Sequence, residues 1–235
     1  MDDLLKLRHL VNYDFRTPDL LREAMTHRSY SAENELKYDN QRLEFLGDAV
    51  LEIILSQYLY QRYPDSPEGL LTRMRAALVQ QEALATIARK LQLDRFIRMG
   101  RGEIESGGPQ REAALCDVFE ALVGAIYLDS SLEQTTALMI PLFEEHFPSP
   151  EELITDQNPK GTLQELTQRL WTRAPEYQVT DVSGPDHDPH YRVVVTLNGK
   201  IIGSGEAGKR KTAESVAARN ALNQLKSTSL QHQGE

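Results

Sequence analysis

Through residue 147 the apolar positions recur at intervals of three and four, the period of an α-helix. Asp3 to Leu10 makes a short first helix. Thr17-Pro18 offers a capping residue followed by proline, a helix start, and Leu20, Leu21 and Met25 form the apolar side of that second helix, running toward Thr26-His27-Arg28-Ser29. Residues 31–39 are polar and read as loop. A long helix follows from Asn40 and ends before Pro64, with Leu43, Leu46, Val50 and Ile54 on one face. Ser66-Pro67-Glu68 starts another helix, and Gln81 to Leu91 a further one. Gly100 to Pro109 holds four glycines and reads as flexible loop. Arg111 to Leu128, with Leu115, Phe119, Leu122, Val123 and Ile126, is a second strongly apolar helix, and Leu132 to Phe147 closes the series.

The period then changes. Pro148 to about Asn158 reads as a linker, and Thr162 to Trp171 as an amphipathic helix. Glu176–Val182 and Tyr191–Leu197 alternate apolar and polar residues as strands do. Asn198-Gly199 is a hairpin signal leading into a third strand, Lys200–Glu206, and Thr212–Leu225 is an alanine-rich helix. Trp171 and Tyr191 are expected in the small core. The pattern predicts an all-α domain over 1–147, a linker over 148–158, an α-β-β-β-α domain over 159–227 and a polar tail over 228–235.

Charge sharpens this division. The whole chain carries −9, but residues 1–150 hold −8, residues 151–158 hold −3 and residues 159–235 hold +2. Such asymmetry predicts two modules with different partners. No apolar run approaches the ~18 residues of a membrane span, and the acidic N-terminus lacks the features of a secretory signal. The single cysteine, Cys116, excludes an intrachain disulfide and fits a reducing, cytoplasmic setting. It is expected to be a small packed residue.

Candidate chemistry lies on the two most apolar helices. Glu44 and Asp48 are four apart, and Asp117 and Glu120 three apart, so each pair shares a helix face. Two carboxylates side by side repel, and burying one unpaired costs several kcal/mol, roughly. A divalent cation between them removes both penalties. Neither Glu44 nor Glu120 has a histidine three residues on, which disfavours a di-iron centre of the Glu-x-x-His kind and also zinc. Carboxylates alone favour Mg²⁺ or Mn²⁺ and phosphate-ester chemistry.

Gln41-Arg42-Leu43-Glu44-Phe45-Leu46-Gly47-Asp48-Ala49-Val50 closely resembles the signature of the ribonuclease III family, and Asp117-Val118-Phe119-Glu120-Ala121-Leu122 resembles that family's second acidic motif. The resemblance extends from about residue 5 to 226. It implies a helical endonuclease domain joined to a double-stranded-RNA-binding domain, cutting duplex RNA with Mg²⁺ (Mn²⁺ substituting) to leave 5′-phosphate and 3′-hydroxyl ends. It implies Glu44, Asp48, Asp117 and Glu120 as metal-binding acids, with Asp48 and Glu120 most needed for activity. Glu68 matches a further family acid that reaches the site indirectly. The resemblance also implies a homodimer in which Phe45 inserts into the partner, and ribosomal RNA precursors as substrates. Gln41 departs from the glutamate common in the family and is not counted as a ligand.

For the second module the resemblance implies three RNA-contact regions: Thr162, Gln164 and Glu165 on the first helix, His187 in the loop between strands, and Lys209, Arg210 and Lys211 entering the last helix. Such domains read A-form RNA by shape. Arg73, Arg75, Arg98 and Arg101 are weaker candidates for phosphate contacts. Two other readings stand beside the nuclease: a duplex-RNA-binding protein with a lapsed nuclease centre, and a helical metalloprotein fused to an unrelated small domain.

Overall fold

A computed structural model describes residues 2–150, 153–154, 158–185 and 188–231, the side chains of residues 2–5 and 226–231 excepted. The chain divides into two compact units, Met1–Pro150 and Glu151–Glu235. The first is helical: α1 (Asp2–Val11), α2 (Pro18–Ala24), α3 (Arg28–Glu33), α4 (Gln41–Arg62), α5 (Glu68–Val79), α6 (Gln81–Lys90), α7 (Arg101–Glu105), α8 (Glu112–Asp129) and α9 (Leu132–His146). Among the described residues no helix is long and apolar enough to cross a membrane.

Helix α8 is the axle of this unit. Its Leu115, Val118, Phe119, Leu122, Val123 and Ile126 are all fully buried, which explains its nearly continuous apolar sequence. Helices α2, α4, α6 and α9 pack around it. From α4 come Leu43, Val50, Leu51, Ile54, Leu55 and Leu59, so the long helix buries the predicted face, with Leu46 only half-buried.

Three local expectations are corrected. Thr17 makes no side-chain cap. Instead, buried Asp129 at the end of α8 accepts from the backbone N–H groups of Arg16 (2.7 Å) and Thr17 (2.8 Å) and from the Tyr13 hydroxyl (2.8 Å), so a residue more than a hundred positions away anchors the start of α2. Residues 28–33 are helical rather than an extension of α2 and a loop, because the His27 ring accepts from the Ser29 N–H and caps a new helix. The glycine-rich segment is not loose either. Glu33 accepts from the Arg101 N–H at the start of α7, Arg111 pairs with Glu103 at 2.9 Å, and Gly108–Gln110 forms a 3₁₀ turn.

The second unit comprises α10 (Pro159–Trp171), β1 (Glu176–Ser183), β2 (His190–Leu197), β3 (Lys200–Ala207) and α11 (Arg210–Gln231). The strands form an antiparallel sheet in the order β1-β2-β3. Asn198 and Gly199 both take positive φ (53° and 75°), the twist-matched turn their sequence predicts. Side chains are small where β3 meets α11. A Cβ at Gly203 would fall 2.5 Å from the Ala217 carbonyl oxygen, and one at Gly205 2.4 Å from the Ala217 nitrogen. Those glycines let Ala213, Ala217 and Ala221 lie flat against the sheet, fully buried with Leu163, Val193 and Val195. Tyr191 packs against this cluster as expected. Trp171 does not: it ends α10 and is 43% exposed.

Candidate metal centre and nucleic-acid interface

Helices α4 and α8 touch backbone to backbone. A Cβ on Gly47 would sit 1.8 Å from the carbonyl oxygen of Glu120, and a Cβ on Gly124 2.3 Å from that of Leu43. Only hydrogen in place of a side chain allows this approach. Glu44 lies one turn before Gly47 and Asp48 directly after it, while Glu120 supplies the backbone that Gly47 meets. The crossing therefore draws the two acidic pairs together.

Their electrostatics show the consequence. Burial pushes the Glu120 carboxyl up to about 7, reinforced by the charges of Asp48, Asp117 and Glu44, against a lowering hydrogen bond from Cys116. Glu44 is raised by burial and then by Asp117, Asp39 and Asp48. Asp117 is raised by burial, offset by the nearby His27. Glu120 and Glu44 resist ionising because they are partly buried and have acids for neighbours, and Asp117 because it is partly buried. A set of carboxylates that all gain from one positive charge fits a hard divalent cation. Ligand atoms of Cys116, Asp117 and Glu120 lie within 4.8 Å of one another, a group that does not include Glu44 or Asp48; Asp48 is exposed.

Three neighbours escaped the sequence reading. Cys116 shares the face of Glu120 four residues on, and its thiol lies 3.5 Å from Glu120 Oε1; the i,i+4 spacing was there to be seen. His27 arrives through the loop after α2, which a backbone bridge between Thr26 and Arg98 fixes. Asp39 accepts from the Gln41 N–H at 3.1 Å, just ahead of α4. Neither of the last two has a spacing signal.

Other expected residues line two surface grooves. Gln41 is exposed and lines a groove of about 620 Å³ with Phe45, Leu20, Glu23 and Leu128. Phe45 is 81% exposed on that groove. Glu68 lines a separate groove of about 360 Å³ with Ser56, Tyr60 and Arg75, and accepts from the Thr72 hydroxyl at 2.8 Å. Ser56 is two turns beyond Asp48, about 12 Å along the helix axis. Structural contacts engage the weaker arginine candidates as well. Arg98 stacks on Tyr30 at 4.3 Å, and Arg75 donates to Ser56 Oγ at 2.9 Å.

In the second unit Gln164 and Glu165 are exposed on α10, and Lys209, Arg210 and Lys211 are exposed where α11 begins. The Thr162 hydroxyl donates to the Asn158 carbonyl at 3.0 Å. Arg210 Nε donates to Glu214 at 2.9 Å. His187 lies outside the described residues.

Known proteins show the same two parts in the same order. Residues 17–144 match the family model described as Ribonuclease-III-like, and residues 159–225 the double-stranded RNA binding motif. The Ribonuclease 3 of Sulfurovum sp. (strain NBC37-1) is 38% identical over 226 residues, covering 96% of this chain and 100% of that protein. The Ribonuclease 3 of Thermobifida fusca (strain YX) is 44% identical over 204 residues, covering 87% of this chain and 85% of that protein. Among solved structures, the nuclease domain of ribonuclease III from Campylobacter jejuni matches 63% of this chain and 99% of its own length with 38% identity and a TM-score of 0.60. A second structure of that domain, 39% identical with a TM-score of 0.59, covers 61% of this chain and 98% of its own and is described by flexibility in a region involved in dimer formation. With one family model matching the helical unit, another matching the α-β-β-β-α unit, and curated relatives matched over most or all of their length, the chain belongs to the ribonuclease III family.

Proposed function

We propose that the chain hydrolyses phosphodiester bonds within double-stranded RNA, using Mg²⁺ held by Glu44, Asp48, Asp117 and Glu120. The observation that supports this reading is the Gly47–Gly124 crossing, which brings the two acid-bearing helices into backbone contact, close enough for the charges of Asp48, Asp117 and Glu44 to act on Glu120. When bound, the ion supplies Lewis-acid chemistry, activating water and offsetting charge on the phosphate; Mn²⁺ has the same ligand preference and substitutes. The acids hold the ion and orient it, and the buried α8 backbone behind them keeps the cleft from spreading. Products carry 5′-phosphate and 3′-hydroxyl ends, and structured transcripts such as ribosomal RNA precursors, in the cytoplasm, are the substrates.

Duplex RNA is held by the second unit through Thr162, Gln164 and Glu165 on α10, by His187, and by Lys209, Arg210 and Lys211 at the start of α11. Cationic groups beside a helix N-terminus suit phosphate. The protein works as a homodimer. Phe45, Ile53 and Tyr60 are 81%, 52% and 73% exposed along α4, an apolar stripe that needs a cover, and the groove beside Phe45 gives a partner's ring a place to enter. Glu68 stands on this same outer side of α4, beside Tyr60, and acts on the reaction indirectly.

Incubation with long duplex RNA in Mg²⁺ or in EDTA tests the reading. Cleavage is expected only with metal, and is lost in Asp48→Asn and Glu120→Gln while RNA binding persists. Binding without cutting by the unaltered protein would establish instead a duplex-RNA-binding protein with a lapsed nuclease centre. Gln41 is the one departure that favours that outcome.

A further inference from the structure

One carboxylate in the second unit joins the two helix starts expected to meet RNA. Glu214, in the second turn of α11, is 9% exposed and has both oxygens taken. Oε2 accepts from Lys160 Nζ at 2.5 Å, and Oε1 accepts from Arg210 Nε at 2.9 Å. Lys160 opens α10 and also lies over the Tyr177 ring, its Nζ 4.6 Å from the centroid. Both cations nevertheless keep an outward side: the Lys160 side chain is 37% exposed and that of Arg210 63%. Arg210 reaches Glu214 through Nε, the guanidinium nitrogen nearest its stem. One buried anion thus serves two half-exposed cations, and the trio keeps a net positive charge.

A pair of cations fixed on one acid is ordered before any ligand arrives. Free lysine and arginine side chains lose rotamer freedom on meeting a phosphate, whereas these two have already lost much of it in folding. We propose that Glu214 is a positioning residue for duplex RNA: it holds Lys160 and Arg210 in register so that both address the phosphate backbone, making Lys160 an additional contact and coupling the α10 contact region to the α11 region. This rests on the RNA-binding reading above and adds to it a division of labour among charges.

The inference gives an unusual sign. Plain electrostatics says that deleting a negative charge beside a phosphate site strengthens binding. Positioning says the reverse. The test measures binding of the full-length protein to a duplex RNA in EDTA, across a salt series, by fluorescence anisotropy. Glu214→Gln keeps the shape and removes the charge; it is expected to weaken binding about five- to tenfold and to flatten the salt dependence by roughly one counterion. Lys160→Gln should flatten the slope by a similar amount, and Glu214→Gln should add little in a Lys160→Gln, Arg210→Gln background. Thermal melting of each variant separates lost fold from lost positioning. Should Glu214→Gln misfold, the Lys160 substitution decides alone, since that side chain is partly exposed. Equal or tighter binding by a folded Glu214→Gln, or an unchanged salt slope in Lys160→Gln, overturns the inference. Failure of the unaltered protein to bind duplex RNA would instead remove the reading on which it stands.

Discussion

Replacing Gly47 by alanine tests the site at its geometric root. The added methyl would meet the Glu120 carbonyl oxygen at 1.8 Å, its carbon at 2.6 Å and the Gly124 nitrogen at 2.9 Å. All three are backbone atoms, so no side chain can swing aside, and ordinary contact requires the helices to part by more than an ångström. Alanine gains about 1 kcal/mol in helix propensity over glycine, while overpacking of this kind costs roughly 1–3 kcal/mol or more. The loss of buried contact along the α4–α8 seam adds to it. We expect net destabilisation of about 2 kcal/mol, which lowers the melting temperature of a unit this size by roughly 4–8 °C. Activity should fall further than stability, because Glu44 and Asp48 move with α4 while Asp117 and Glu120 stay with α8. A misplacement near 1 Å can cost about a hundredfold in rate. Gly69→Ala is the control: no atom lies within 4 Å of its Cβ position, so it should be neutral or slightly stabilising. Thermal melting and single-turnover cleavage of duplex RNA at saturating Mg²⁺ read both quantities. A Gly47→Ala protein that melts within a degree of the parent and cuts at its rate would refute the argument.

The acid cluster makes stability depend on pH and metal. Glu120, Glu44 and Asp117 have folded pKa values above their unfolded ones, so their contribution is fully present below the unfolded values and is lost as pH rises, for Glu120 through about 7. The metal-free protein should therefore lose melting temperature as pH rises from 4.5 to about 7, and Mg²⁺ should restore it; a flat profile in EDTA would contradict this. Asp129 has the opposite sign. Burial raises its pKa, but bonds from the Arg16 N–H, the Tyr13 hydroxyl and the Thr17 N–H outweigh that and leave it lowered, so its support is present above the unfolded pKa and disappears as pH falls through the folded one. Asp129→Ala strands three donors and should cost about 2–4 kcal/mol by denaturant unfolding, with a shallower acid dependence. Phe45→Ala should leave the folded monomer nearly as stable, since the ring is mostly exposed, yet shift sedimentation toward monomer.

Helical and strand periods were plain in the chain, and so were the acids, because α4 and α8 are nearly ideal carriers of their motifs: apolar residues on one face and carboxylates at i,i+4 or i,i+3. What escaped was held by distant partners. Asp129 replaces the cap that Thr17 advertises, and Glu33 organises a stretch whose glycines read as loop; neither leaves a local trace. Trp171 was misplaced because an aromatic at the end of an amphipathic helix looks like core, whereas the core beneath α11 is filled by its alanines together with Leu163, Val193, Val195 and Leu222. The decisive role of Gly47 and Gly124 was also invisible, since a glycine inside a helix reads locally only as a small penalty.

That alanine–glycine seam between β3 and α11 has a thermodynamic corollary. Methyl groups and hydrogens along that seam remove little hydrocarbon from water, which leaves Leu163, Val193, Val195 and Leu222 to supply most of the apolar burial, and a unit this small then has a thin margin against unfolding on its own. Whatever binds only its folded form then becomes a substantial part of what keeps it folded. Duplex RNA would act on this half of the protein as a chaperoning ligand as well as cargo, raising its melting point in proportion to the logarithm of the free RNA concentration.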